Sequence, residues 1–269
     1  GGFSKIESSG RPKEVDSIEL STLHATAANM MLLGLNVSKF QWAEWFGLAG
    51  INSYLSRGYT KFVPQLMGIF DSMLYSIGQF NTINTVADKA CEFIKVDEGF
   101  PGDGFVYNTI GTYGGRYQRP MLECIEYLEV GAKRSFEKGE YLPYLACISN
   151  KMVTSFTAGV PLSKLQEYAE DLRRFLISCG EFVSVGKIYY RLLNQLVDIE
   201  EGNLLDRSRF SGSQWEALKN SVAYGAYYHL ILQRHFWLGE YGHVAKKYAE
   251  KRELLETVHA FSIGDDNHF

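Results

Sequence analysis

A chain of 269 residues with 46% hydrophobic and 22% charged residues can bury a large core and is too apolar to be a disordered segment. Its formal charge of −4 argues against a nucleic-acid surface, which normally needs a basic face. No apolar run reaches the roughly 20 residues of a bilayer span.

Six prolines in the whole chain fit a mainly helical protein, because helix interiors reject proline. Residues 1–16, rich in Gly, Ser, Lys and Glu, read as a linker or frayed end. The opening Gly1-Gly2-Phe3, with Met30 as the first methionine, suggests a piece of something larger or a processed chain. From Ile18 the pattern is helix after helix. Ile18, Leu20, Leu23, Ala27, Met30, Met31 and Leu35 recur at helical spacing, with a stop at Gly34 and Asn36. A second helix is predicted over Ser38–Leu55, ending at Arg57-Gly58, where glycine accepts a left-handed backbone. Thr60 is placed to cap a third helix, which runs to Gly78. Asn81 or Thr82 begins a fourth, through Val86, Ala90 and Phe93.

The glycines and proline of 98–104 mark the best internal break, dividing N-terminal repeats (17–97) from C-terminal repeats (105–269) of what reads as one continuous solenoid. Beyond it helices are expected at about 104–118, 120–138, 141–158, 162–179, 181–201, 211–238 and 242–262. No alternating strand pattern of any length is present, so the fold class is all-α.

Helices of this length joined by short turns pack antiparallel to their sequence neighbours, and each pair leaves a face for the next to cover. Gly78-Gln79-Phe80, Gly139-Glu140-Tyr141 and Gly239-Glu240-Tyr241 share a glycine followed two residues later by an aromatic. Small residues come next: Ala87 and Ala90, Ala146, Ala245 and Ala249. Glycine would end one helix, the aromatic would plug the turn, and alanine would allow close approach. The expected architecture is a right-handed, tetratricopeptide-like stack of antiparallel pairs.

From Phe105 onward the sequence resembles a known family. Arg116-Tyr117-Gln118-Arg119-Pro120-Met121-Leu122, Gly139-Glu140-Tyr141 with Ala146, Phe156-Thr157-Ala158-Gly159-Val160-Pro161-Leu162, Tyr168–Phe175, Tyr227-Tyr228-His229-Leu230 and Leu238-Gly239-Glu240-Tyr241 carry the likeness. They are similar to the helical repeats that follow the predicted ATPase module in large multi-domain signalling serine/threonine/histidine kinases. Residues 40–95 fit more loosely, through Gly47-Leu48-Ala49-Gly50 and Gly68. The resemblance implies a regulatory or scaffolding segment of a cytoplasmic signalling protein. The family's kinase and ATPase motifs do not occur here, so no catalytic residue carries over.

Other chemistry finds little support. Gly180 to Gly186-Lys187 is one residue too long for a phosphate loop, and Ile188 replaces the needed hydroxyl. Cys91, Cys124, Cys147 and Cys179 are widely spaced and read as buried, reduced thiols. Glu240/His243 and Glu256/His259 are both ExxH, but their spacing of about 24 Å along one helix is too long for a single metal cluster. His229 and His235 fall on different helix faces and read as packing or surface residues. Neither a metal nor a cofactor is therefore assigned, and the chain is not expected to be an enzyme. The aromatic clusters remain. Helical spacing favours a core role for them; the functional alternative is a partner-binding set of Trp42, Trp45, Tyr224, Tyr228 and Trp237.

The expected function is a non-catalytic scaffold that binds a protein partner or organises adjacent domains of the same polypeptide. Two alternatives stay open: a stand-alone structural subunit of a large assembly, and a helical enzyme or ligand-binding protein with a site built from distant residues.

Overall fold

The computed structural model describes residues 14–36, 40–76, 79–96, 101–114, 119–179, 211–219, 224, 228, 231–232, 235–236 and 239–258. Regular structure among them is helical, apart from one parallel bridge between Glu14 and Tyr59. The helices are α1 (Ile18–Asn36), α2 (Phe40–Arg57), α3 (Val63–Ser76), α4 (Phe80–Val96), α5 (Asp103–Thr109), α6 (Met121–Glu137), α7 (Tyr141–Thr157), α8 (Leu162–Cys179), α9 (Gly212–Lys219) and α10 (Tyr241–Val258). None of these helices is long and apolar enough to cross a membrane.

Contacts divide the chain into two compact units, Gly1–Thr154 and Ser155–Phe269, with the division inside α7. The expected break at 98–104 lies partly outside the described residues; α5 begins at Asp103 and packs on α3 within the first unit.

In that unit the helices pair as α1/α2, α3/α4 and α5/α6, and the pairs touch in succession. Helix α3 is the hub, packed against α1, α2, α4 and α5. Its sequence explains this: Val63 to Tyr75 is apolar almost all round, and every residue except Ser72 is buried. Phe93 of α4 stacks on Tyr59 and meets Tyr54 edge-on, closing the core below α3. The contacts reach back before α1, where Val15 N–H donates to Tyr59 O at 2.8 Å.

Thr60 precedes α3, but its hydroxyl meets the buried His24 Nδ1 at 2.9 Å. The turn into α3 is instead held by Val63 N–H donating to Thr60 O at 2.9 Å. After Thr109 the α5 helix widens into a π turn, Ile110–Gly114. Gly111 is required there: a Cβ would lie 2.5 Å from Leu128 Cγ and 2.7 Å from Cys124 O. Thr109 and Thr112 hydroxyls donate to the carbonyls four residues back, a pattern that bends helices.

Three turns share one backbone design. Gly139, Gly159 and Gly239 sit at φ 72°, 74° and 73°. In each, the glycine N–H donates three residues back, to Phe136, Phe156 or Phe236, and the next residue donates five back, to Ser135, Ser155 or His235. This is the Schellman closure of a helix end, and its sequence form here is Phe-x-x-Gly. At Gly139 and Gly239 the aromatic after the glycine does not plug the turn; the third expected case, Gly78-Gln79-Phe80, lies partly outside the described residues. Tyr141 and Tyr241 are 56% and 62% exposed, because backbone hydrogen bonds close the turn. Ala87 and Ala90 are buried as expected, whereas Ala245 and Ala249 are exposed.

In the second unit, α8 is amphipathic, with Leu165, Ala169, Leu172 and Phe175 buried and Glu170 bridged to Arg173 and Arg174 on the outer side. The expected helix at 181–201 lies outside the described residues.

Candidate protein-docking face

Helix α2 reverses the usual amphipathic arrangement. Its inward stripe is Ala43, Gly47, Gly50, Ile51 and Tyr54, spaced for one helix face. The two glycines let side chains of α1 and α3 pack against the α2 backbone. A Cβ on Gly47 would lie 2.7 Å from Met31 Sδ and 2.9 Å from a Phe70 ring carbon; one on Gly50 would lie 2.8 Å from Leu66 Cδ2 and 2.9 Å from Ala27 Cβ. No side chain fits at Gly47 or Gly50, and beside them the two tryptophans are carried outward. Trp42 is 51% exposed, Trp45 66% and Leu48 42%. With Ala49 they form a stripe at three- and four-residue intervals on the solvent side. Trp45 is braced edge-on by Phe46, ring centroids 4.8 Å apart.

The stripe exposes roughly 300 Å² of indole surface, given about 250 Å² for a whole tryptophan. Surface patches of this size on monomeric proteins are frequently functional. Two of the five members of the partner-binding set, Trp42 and Trp45, are thus where a partner could reach them. For Trp42 and Trp45 the spacing argument for a core role fails.

The other members are placed differently. Tyr224 and Tyr228 are half-buried, stacked edge-on at 5.1 Å, with Trp215 against Tyr224 at 5.9 Å and Lys251 over the Tyr228 ring at 4.9 Å. They pack within their own unit. Trp237 lies outside the described residues.

Buried polar groups form a second feature, which sequence reasoning missed. Asp103, at the start of α5, is 1% exposed and accepts from Lys138 Nζ at 2.8 Å and Arg134 Nη1 at 3.4 Å. Arg134 lies over the Tyr107 ring, and Gly102 N–H donates to Glu140 Oε1 at 3.0 Å. Cys147 Sγ sits 3.4 Å from Gly104 O, and burial pushes its thiol far above the ordinary range. These groups lock α5, α6 and α7 together; nothing in their sequence spacing announces the meeting, since 103, 134 and 147 are far apart in the chain. Cys91, Cys124 and Cys147 are buried and in no disulfide, so the expected burial holds at those three positions.

Asp71 is fully buried on α3, and neither carboxylate oxygen has a hydrogen-bond partner. Desolvation, and then the charge of Asp88, hold its carboxyl well above the ordinary range. In the second unit, His235, Glu240 and His243 place one ligand atom each within 4.8 Å of one another.

No protein family, curated protein or solved structure matches the chain.

Proposed function

We propose that this chain is a non-catalytic helical-repeat scaffold that docks a protein partner on the outer face of α2, as a segment of a larger signalling kinase. The single observation that carries the docking reading is the outward placement of Trp42 and Trp45 on a helix whose inward face beside them is Ala43, Gly47 and Gly50. The preferred occupant is an amphipathic helix of the partner, because a stripe at three- and four-residue intervals matches helix-on-helix packing. Two anchors of this kind contribute the largest single terms in most interfaces.

The tetratricopeptide-like reading draws support from pairs that touch in succession and from the Phe-x-x-Gly turn used three times. Stacking of this kind turns repeats into an extended binding surface. The kinase context rests on the sequence resemblance.

Two experiments test these statements separately. A photoreactive residue at position 45, with one at the exposed Glu126 as control, should give one discrete cross-linked protein from position 45 only. Equal labelling at both positions would remove the docking face. The intact native protein, detected with an antibody to this segment, should have several times the 30.5 kDa of this chain. A species at that mass would remove the kinase context and leave the docking face untouched.

A further inference from the structure

We propose that His235, Glu240 and His243 form a binding site for a borderline divalent transition ion of the zinc class, clamped across the turn that leads into α10. The argument begins with the turn. Glu240 N–H donates to His235 O at 2.8 Å and Gly239 N–H to Phe236 O at 3.0 Å. This closure folds residue 235 back beside residue 240. Residue 243, one turn along α10, then falls on the same side. His235 Nδ1 meets Glu240 Oε2, and the His235 and His243 rings lie with centroids 5.4 Å apart. All three ligand atoms fall within 4.8 Å of one another. Bonds of about 2.0–2.1 Å to a tetrahedral ion set donor atoms roughly 3.4 Å apart, so small side-chain rotations on the exposed His243 complete the geometry.

The turn at Gly139 shows that the fold itself does not ask for these histidines. It has the same φ and the same two backbone hydrogen bonds, yet Ser135 and Pro143 occupy the positions of His235 and His243, with Glu140 in that of Glu240. The turn forms without imidazoles, so the pair at Gly239 is an addition to a generic scaffold.

Two imidazoles and one carboxylate are the donor set of zinc-class ions; magnesium and calcium prefer oxygen alone. His235 is half-buried while Glu240 and His243 are exposed, which leaves a side of the ion open to water. Lys247, four residues along α10 from His243, is paired with Glu250 at 3.5 Å. The sequence showed Glu240 and His243 as an ExxH pair and missed the third ligand, which lies across a glycine turn rather than on the same helix.

Calorimetric titration of the full chain with Zn²⁺ tests the site. Saturable binding at one ion per chain is expected, with no heat from Mg²⁺ or Ca²⁺ at equal concentration. His243→Ala and Glu240→Gln should each weaken it by at least ~100-fold, since even loss of a residue that only supports a ligand costs about 10–100-fold. Both variants change exposed side chains, and unchanged helicity by circular dichroism keeps the comparison valid. The double variant His259→Ala/His268→Ala should bind as the parent does. Loss of binding in that double variant, or undiminished binding in His243→Ala, would overturn the proposal, as would the absence of one-to-one binding.

Discussion

Acid sensitivity centred on His24 is the sharpest stability consequence of the fold. His24 is completely buried on α1, with Nδ1 2.9 Å from Thr60 Oγ1 and Nε2 without a hydrogen-bond partner. Burial, and then the charge of Arg57, lower its pKa from 6.5 to about 4. Between those values the unfolded chain binds a proton that the folded chain refuses. The stability this neutral imidazole allows is therefore complete above pH 6.5 and is lost as pH falls toward 4. A shift of this size corresponds to about 3 kcal/mol at most. His24→Gln keeps a polar group opposite Thr60 and removes the titration. Urea unfolding of both proteins from neutral pH down to about 4 should show the parent losing about 3 kcal/mol more than the variant. Other titrating groups cancel in that difference. Parallel curves would refute the argument that the buried ring is held neutral.

Four further substitutions probe the packing and the buried carboxylates. Gly131→Ala would place a Cβ 2.7 Å from Tyr107 Cβ and 2.8 Å from Cys147 Sγ; overpacking of about 1–3 kcal/mol should outweigh a helix-propensity gain of up to about 1. Gly242→Ala in α10 meets nothing within 4 Å and should stabilise by up to about 1 kcal/mol in the same denaturation assay. Asp71→Asn acts with the opposite pH sign to His24. The folded state retains a proton that the unfolded carboxyl releases above 3.8, so the parent should lose stability relative to the variant as pH rises past that value. Asp103→Ala strips Lys138 and Arg134 of their buried partner and should cost about 1–3 kcal/mol, less than a fully buried pair because both cations are partly exposed.

Helix positions were legible because glycine marks the ends. Gly58 adopts the positive φ that the sequence suggested for it, Gly139, Gly159 and Gly239 do the same, and the bounds of α2, α6, α7 and α8 follow from these glycines to within about two residues. Which face of α2 turns inward was not legible. Hydrophobic spacing assigns tryptophan to the core, whereas here close backbone approach decides: Gly47 and Gly50 admit Met31, Phe70, Ala27 and Leu66, and the indoles are displaced to the surface. The His235–Glu240–His243 group was half legible, since helical periodicity relates 240 to 243 but is broken between 235 and 240 by the left-handed Gly239. The Asp103 centre depends on three helices meeting, which no local pattern encodes.

The docking face is tested most directly by the affinity of the cross-linked partner, once purified, for the parent and for Trp42→Ala/Trp45→Ala. Both indoles are at least half exposed, so the unfolding free energy should change by no more than about 1 kcal/mol. The account predicts a loss of at least about 2 kcal/mol in binding, roughly 30-fold in Kd. Unchanged affinity in a folded double variant would contradict it.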